Sequence, residues 1–174
     1  MALLIPEAPA SHAPRRVQPH LRRPGAADRE DLIQFVADLS SSSSQHRFLT
    51  GIGGRLPKAV LEQLLFGGRG GGALVAVLDG RLVGHALWAR SYGLDDPVAE
   101  IALVVADTWQ RQGIGSLLLD ELRVEMMCVG IERVQVVTGA ANRPVQGMLT
   151  KHRPGVRPTD RDGAVLTYEL TVRP

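Results

Sequence analysis

The pattern of apolar and polar positions divides the chain into a helical first part and a strand-rich second part. After a short candidate strand at 17–21, residues 28–39 repeat apolar side chains at helical spacing behind Asp28, which suits an N-cap. Residues 57–66 repeat the pattern with a proline at the first position, where helices tolerate it. The serine run 40–44 between these helices predicts a flexible loop.

The period then changes from helical to β-like. A glycine-rich connection, 67–72, leads into the continuous apolar run 73–78, which ends at Asp79-Gly80. An Asp-Gly pair between two apolar runs is a strong hairpin signal, so residues 82–90 are predicted to form the antiparallel neighbour. A further apolar run, 98–105, predicts the next strand.

The rest of the chain alternates helices and strands. Residues 114–129 have an apolar face at helical spacing. Apolar and polar side chains alternate from 133 to 136, which predicts a strand, and 142–152 is a candidate helix. A turn at 160–163 precedes a final strand, 164–172. The order predicts an α+β fold with a mixed central sheet flanked by helices and no internal repeat.

Composition narrows the class of protein. The 174 residues suffice for one domain, here 17–174, and the proline-rich residues 1–16 are expected to form a flexible extension. Cys128 is the only cysteine, which excludes an internal disulfide, argues against a metal site and suits a reducing cytoplasm. The net charge of +2 and the lack of a long apolar segment argue against nucleic-acid and membrane partners.

The segment between the strand at 98–105 and the long helix carries the most specific chemistry. It is Gln110-Arg111-Gln112-Gly113-Ile114-Gly115. A helix N-terminus offers unpaired N–H groups and a partial positive charge, and the two glycines would let an anion approach the backbone. A Walker loop would require Gly-Lys-Ser/Thr, and a dinucleotide fingerprint a third glycine where Leu118 stands, so both fail.

The remaining pattern, Gln/Arg-x-x-Gly-x-Gly/Ala, resembles the acyl-CoA pyrophosphate loop of the GNAT superfamily of N-acetyltransferases. Residues 99–110, Ala-Glu-Ile-Ala-Leu-Val-Val-Ala-Asp-Thr-Trp-Gln, resemble in particular the bacterial protein-lysine acetyltransferase branch. Leu39-Ser40 with Arg47-Phe48 and Leu56 is similar to that branch as well. The resemblance covers 17 to about 172 and implies the GNAT acyl-CoA N-acyltransferase fold.

The resemblance implies a cofactor site for acetyl-CoA on a splayed strand. The pantetheine arm would pair with the backbone of Leu103, Val104 and Val105. The pyrophosphate would be bound by Gln110, Arg111, Gln112, Gly113, Ile114, Gly115 and Ser116. Asn142 matches the family's asparagine at the start of the next helix, which commonly contacts CoA.

Glu100 is the candidate general base. An alkyl amine has a pKa of about 10.4, so only about one in a thousand is neutral and nucleophilic at neutral pH. A carboxylate within an apolar run can accept the proton, and Glu100 stands at the spacing of the catalytic glutamate in the resembling branch. The alternative is a charged residue on the solvent side of a strand start.

The oxyanion donor and the general acid are the other two catalytic roles to assign. A backbone N–H near Val104 or Val105 would stabilise the oxyanion. Many members of the family have a tyrosine acid where this chain has residues 147–149, Gly-Met-Leu, which leaves Tyr92 as a fallback donor. The predicted function is acetyl transfer to a primary amine, of a small molecule or a protein lysine, by direct attack. The alternative is an acyl-CoA-binding regulatory module that has lost catalysis.

Several residues have two interpretations. His85 is predicted to be packed or hydrogen-bonded rather than part of a substrate pocket, and His46 to be a solvated loop residue. Cys128 is expected to pack within the long helix. A basic group could meet the CoA 3′-phosphate or be plain surface; it consists of Arg143, Lys151, Arg153 and Arg157. Many GNAT domains dimerise, so the resemblance also allows a homodimer.

Overall fold

The computed structural model describes residues 18–49 and 56–173. The strands are β1 (His20–Arg22), β2 (Gly72–Leu78), β3 (Arg81–Arg90), β4 (Val98–Val105), β5 (Arg133–Gly139), β6 (Asp160–Asp162) and β7 (Val165–Thr171). The helices are α1 (Arg29–Ala37), α2 (Ser41–Phe48), α3 (Lys58–Phe66), α4 (Ile114–Cys128) and α5 (Arg143–His152). The extension predicted for residues 1–16 lies outside the described residues.

The seven strands form one mixed sheet in the order β1-β2-β3-β4-β5-β7-β6. All neighbours are antiparallel except β4 and β5, which run parallel. The predicted hairpin between β2 and β3 is confirmed: Asp79 has φ 49° and Gly80 φ 76°, the two left-handed residues that a tight hairpin turn requires. The α+β class and the mixed central sheet are therefore as the sequence predicts.

One face of the sheet is covered by α4. The helix buries one side chain every turn, and these are Ile114, Leu118, Leu122 and Met126. Gly84 of β3 allows the close approach, because a Cβ there would lie 3.0 Å from a Leu118 methyl. Cys128 is exposed at the end of the helix, so the packing role predicted for it is wrong: two residues after Met126, it lies about 200° around the helix from the buried side chains.

The opposite face is covered by α1 and α3, whose apolar side chains pack on Val75 of β2. Leu32 of α1 and Leu65 of α3 are fully buried there. Asp28 begins α1 and is fixed by Arg22, whose guanidinium donates to both carboxylate oxygens at 2.8 and 2.6 Å. Within the described residues no helix is long and apolar enough to cross a membrane.

Two predictions about local structure are wrong. The serine run is not a flexible loop but the first half of α2, because Ser40 caps the helix by accepting a hydrogen bond from the Ser43 N–H at 3.2 Å. The segment 160–163 is not only a turn, because Asp160–Asp162 forms strand β6 along β7, and the turn itself is confined to the residues after it. Both segments are polar; α2 is also held by distant hydrogen bonds to Asp107, and β6 is held by its hairpin with β7.

Candidate active site in the cleft between β4 and β5

A cleft opens where the two parallel strands separate. β4 and β5 pair only along their first three residues, from Val98 with Arg133 to Glu100 with Gln135. Both strands continue, β4 beside β3 and β5 beside β7, so the gap between them widens toward their carboxyl ends. A cavity of about 860 Å³ fills this gap and extends to α2, the loop after β4, and α5. The splayed strand that the resemblance implies is present in this geometry.

The open edge of β4 presents to the cleft backbone groups that are not paired with a neighbouring strand. The N–H of Ala106 donates to the Val83 carbonyl of β3 at 2.9 Å. This bond shows which residues of β4 direct their backbone N–H and C=O groups toward β3. In an antiparallel ladder such residues alternate, so Val104 also points toward β3. The backbone N–H and C=O groups of Leu103 and Val105 point the other way, into the cleft.

This alternation moves one of the predicted roles by one residue. The N–H of Val104 belongs to the β3 ladder and is not available to a bound thioester. The N–H of Val105 is on the open edge, so it is the better placed of the two oxyanion donors that the sequence suggests. The reason lies in register, which the local sequence does not contain.

The loop after β4 brings backbone N–H groups to one end of the cleft. Arg111 has φ 63° and Gly113, the N-cap of α4, has φ 90°. A non-glycine residue in the left-handed region costs roughly 1–2 kcal/mol, and such strain is concentrated at functional sites. The first-turn N–H groups of α4 follow Gly113 and have no side-chain cap, so they are free to bind an anion.

Gly115 keeps this end of the cleft narrow but open. A Cβ added there would lie 3.7 Å from three side-chain atoms, in Leu103, Val105 and Met148. Alanine would therefore fit, whereas a branched side chain would fill the space between β4 and α5. At this point the cleft is therefore bounded by the Gly115 backbone on one side and by the side chains of Leu103, Val105 and Met148 on the other.

Gln110 is used differently from the rest of its motif. Its side-chain amide donates to the Ser43 Oγ at 3.0 Å and to the Val105 carbonyl at 3.1 Å. The side chain therefore joins the loop to α2 and to the end of β4, and its two amide hydrogens are not directed at an anion. Its position on the cavity wall is retained.

Asp107 strengthens the same junction. Its carboxylate accepts hydrogen bonds from the Ser40 N–H at 3.0 Å and from the Ser40 and Ser43 hydroxyls at 2.7 Å each. Burial acts to raise the pKa of Asp107, but these hydrogen bonds outweigh it and lower the pKa below its ordinary value. We call Ser40, Ser43, Asp107 and Gln110 the junction cluster. Its serines were missed as functional residues because a serine run has the composition of a loop.

Glu100 lies near the start of β4, at the opposite end of the strand from the loop. Its register partner is Ala89 of β3, so its side chain is on the face of the sheet covered by α1 and α3. It is exposed within the cavity wall, close to the point where β4 and β5 separate. A carboxylate that is both ionisable and reachable from the cleft can accept a proton from a bound amine.

Arg47 of α2 brings a positive charge to the same region and was not singled out for chemistry by the sequence. It lines the cavity, its Nε is buried without a hydrogen-bond partner, and its guanidinium lies 5.0 Å from the centre of the Phe48 ring. Burial lowers the pKa of Arg47 to about 10, and the charge of Glu100 opposes that change. The group therefore stays a cation at neutral pH.

His85 is the buried, hydrogen-bonded residue that the sequence predicts. Its Nε2 lies 2.8 Å from the Leu64 carbonyl, so the neutral ring carries its proton on Nε2. Burial first, and then the nearby charge of Arg47, lower the pKa of His85 to about 3. The imidazole is therefore neutral and adds no charge to the site.

The start of α5 closes the cleft. Asn142 is buried, and its amide donates to the Thr138 hydroxyl at 3.0 Å and accepts from the Val145 N–H at 3.3 Å. Its side chain thus caps α5 from inside. Gly147 and Met148 line the cavity where the family's tyrosine acid would stand, so that wall supplies no proton donor.

Only some of the remaining candidate residues line the cavity. Tyr92 is 79% exposed in the loop between β3 and β4, and the described residues that line the cavity do not include it. His46 lies on α2 and lines the cavity, so it is not a loop residue. Of the basic group, Arg143 lines the cavity, whereas Arg153 and Arg157 line a separate pocket of about 310 Å³ beside β7.

Solved structures with a similar fold include three GNAT proteins from bacteria. The GNAT domain of S. lividans PAT has a TM-score of 0.76 and 21% identity, covering 87% of this chain and 89% of that one. A GNAT-family acetyltransferase from Streptococcus pneumoniae has a TM-score of 0.69 at 20% identity, covering 87% and 98%. One from Staphylococcus aureus Mu50 has a TM-score of 0.68 at 18% identity, covering 88% and 99%. These likenesses establish the fold.

The sequence comparison gives the family. No curated protein matches the chain significantly. A family model described as Acetyltransferase (GNAT) family matches residues 40–153, which is well over half of the chain and includes both strands of the cleft, the glycine loop and α5. The chain therefore belongs to the acetyltransferase (GNAT) family and is an acyltransferase by descent.

Proposed function

We propose that the protein is an acetyl-CoA-dependent N-acetyltransferase that transfers the acetyl group directly to a primary amine in a ternary complex. The observation that carries the proposal is the continuity of one cavity. The same cavity is lined by Gly113 and Gly115 at one end and by Glu100 at the other, with the open edge of β4 between them. A cofactor bound along β4 would present its thioester toward the carboxylate.

The cofactor would be held mainly by backbone groups. The N–H groups of Leu103 and Val105 and the Leu103 carbonyl can pair with a pantetheine arm as an added strand would, whereas the Val105 carbonyl already accepts from Gln110. The N–H groups of the first turn of α4 can bind the pyrophosphate, with the partial positive charge of the helix end adding to their effect. Such contacts depend on backbone geometry, so few side chains are required.

The transfer step needs a base and an oxyanion donor. The amine nitrogen would attack the thioester carbonyl carbon while Glu100, directly or through one water, takes the proton that the amine loses. The negative charge that develops on the carbonyl oxygen would be stabilised by the N–H of Val105. The C–S bond then breaks, the acetyl group stays on nitrogen and CoA leaves.

No side-chain acid is assigned to the leaving group. A thiol has an ordinary pKa of about 8.5, so CoA can leave as the thiolate and take a proton from water. Gly147 and Met148, which line the wall at that point, are consistent with this route. A dedicated donor would matter more for a more basic leaving group.

Substitution of Glu100 tests the proposal. We expect Glu100→Gln to lower kcat for an acetylated amine by about 10²- to 10⁴-fold, the usual contribution of a general base. Thiol release from acetyl-CoA with a panel of amines and lysine peptides measures the rate, and calorimetry measures acetyl-CoA affinity, which should not change. Binding without transfer in the wild type would favour a regulatory acyl-CoA-binding module. No binding would exclude both functions.

A further inference from the structure

The acceptor end of the cavity contains a cation whose role the transfer step does not explain. Among the described residues that line the cavity, the arginines are Arg47, Arg111 and Arg143. Arg111 belongs to the loop after β4 and Arg143 to the start of α5, both on the cofactor side. Arg47 alone comes from α2, on the side of Glu100.

Arg47 is held in the cavity without an anion. Its Nε–H is buried and unpaired, and no ion pair between described residues includes it. Glu100 is near enough to influence it electrostatically but does not form an ion pair with it. A half-buried guanidinium costs free energy unless a carboxylate or similar group satisfies it. The uncompensated donor therefore points to a ligand that supplies an anion.

The two charges are fixed on different elements and both face the same space. Glu100 is on β4 and Arg47 on α2, and the apolar side chains of Leu64 and Leu87 line the cavity near them. His85, which is close to Arg47, is neutral and already donates to a backbone carbonyl, so it does not offer an alternative charge. A negative and a positive group on one wall match a ligand with the opposite polarity.

We propose that the acceptor is a small zwitterionic amine, an amino acid or related amino carboxylate, whose carboxylate pairs with Arg47 while its amine faces Glu100. The inference rests on the proposed function and adds the chemical class of the acceptor to it. Arg47 does not take part in bond making; it determines specificity by orienting the acceptor. A planar guanidinium suits a carboxylate because it can donate two parallel hydrogen bonds.

Matched acceptors test this assignment. The common L-amino acids and the α-amide of each are compared as acceptors, with kcat/KM measured by thiol release. The ammonium group of an amino acid amide is more acidic than that of the amino acid, so a larger fraction of the amide is neutral amine at neutral pH. The amide should therefore be the better acceptor if the protein does not recognise the carboxylate. We expect the reverse: for the amino acids that react, kcat/KM should exceed that of the matching amide by about 10- to 100-fold, which is the effect of a hydrogen bond to a charged group.

The Arg47→Gln variant should abolish that preference by lowering kcat/KM for the acids and leaving the amides within about twofold of the wild type. Arg47→Lys should restore part of it, because charge remains but the planar pair of donors is lost. Arg81→Gln, at the exposed start of β3, is the matched control and should change neither. Thermal unfolding of each variant checks that the fold is kept.

Two results would overturn the assignment. One is an amide that reacts as well as its acid in the wild type; the other is an equal loss for acids and amides in Arg47→Gln, which would make Arg47 a positioning residue for Glu100. Calorimetry of the same acids and amides with the CoA-loaded protein gives an answer without turnover. If the acids bind in a way that depends on Arg47 but no acetyl transfer is detected, the acceptor site is supported and the proposed function fails. If the acids bind no better than the amides and no transfer is detected, the acceptor site is rejected as well.

Discussion

The two ends of the cleft are built from different materials. The proposed cofactor end is made of backbone: the open edge of β4, the left-handed residues Arg111 and Gly113, and the first turn of α4. The proposed acceptor end is made of side chains, principally Glu100 on β4 and Arg47 on α2. A backbone site requires only a local conformation, whereas a side-chain site requires that distant elements pack in one arrangement. The first can therefore be encoded in a short motif, and the second cannot.

The junction cluster connects these two ends. Ser40 and Ser43 at the start of α2 bind Asp107 in the turn before the glycine loop, and Ser43 also accepts from Gln110. The partners are more than 60 residues apart in sequence. The helix that carries Arg47 is thus fastened to the loop that would hold the cofactor, so the position of the proposed acceptor site would depend on that loop.

The largest effect on acetyl-CoA binding should come from closing the proposed cofactor end. Gly115→Val would fill the space between Leu103 and Met148 with two methyl groups, since a Cβ alone already reaches ordinary contact distance. We expect acetyl-CoA affinity to fall by about 10- to 100-fold, corresponding to an overpacking cost of roughly 1–3 kcal/mol.

Calorimetry measures this affinity for Gly115→Val, for Gly115→Ala, which should bind nearly normally, and for Gly93→Val, a control at an open loop position. Normal affinity in Gly115→Val would contradict the assignment of this end of the cleft to the cofactor.

A smaller effect is expected from a substitution that disturbs the proposed acceptor end and leaves the proposed cofactor end intact. Asp107→Asn removes the charge that receives three hydrogen bonds from α2, so α2 should loosen while the glycine loop keeps its backbone conformation. Because Asp107 is largely exposed, we expect a loss of only about 1–2 kcal/mol in the free energy of unfolding. The KM for the amine should rise a few-fold, with acetyl-CoA affinity nearly unchanged.

The Asp107 effect should also depend on pH. The pKa of Asp107 is lowered in the folded protein, so its stabilising contribution is present above the ordinary value of 3.8 and is lost as pH falls through the lower folded value. Denaturant unfolding at neutral pH and below 3.8 should therefore show the wild type and Asp107→Asn converging in acid. Asp162→Asn, exposed on β6, is the control, and an equal shift in that variant would contradict a specific role.

The smallest effect is expected outside the cleft. Tyr92→Phe removes a hydroxyl from a side chain that is 79% exposed and away from the cavity wall. We expect kcat to stay within about twofold of the wild type, as surface substitutions usually cause little change. A loss of tenfold or more in the thiol-release assay would restore Tyr92 as a proton donor and would require the loop between β3 and β4 to move.

The regular elements were predictable where periodicity and local signals agreed. The buried face of α4 follows from apolar residues at each turn, and the hairpin between β2 and β3 from Asp79-Gly80. The short polar elements α2 and β6 were not predicted. The serines at the start of α2 are held by Asp107, 67 and 64 residues away, and β6, which is Asp-Arg-Asp, has no apolar alternation to mark it as a strand. In such segments tertiary contacts outweigh intrinsic propensity.

The sequence by itself determined the family of this protein. The glycine loop between an apolar strand and an amphipathic helix predicts an anion site, its resemblance to the GNAT pyrophosphate loop implies acyl-CoA, and the family model confirms the family. Only the tertiary structure decided which N–H of β4 is free, what the Gln110 side chain does, and that Arg47 shares a cavity with Glu100. The physical reason is range: helix ends and glycine conformations are local properties, whereas register and side-chain juxtaposition arise from contacts between segments far apart in the chain.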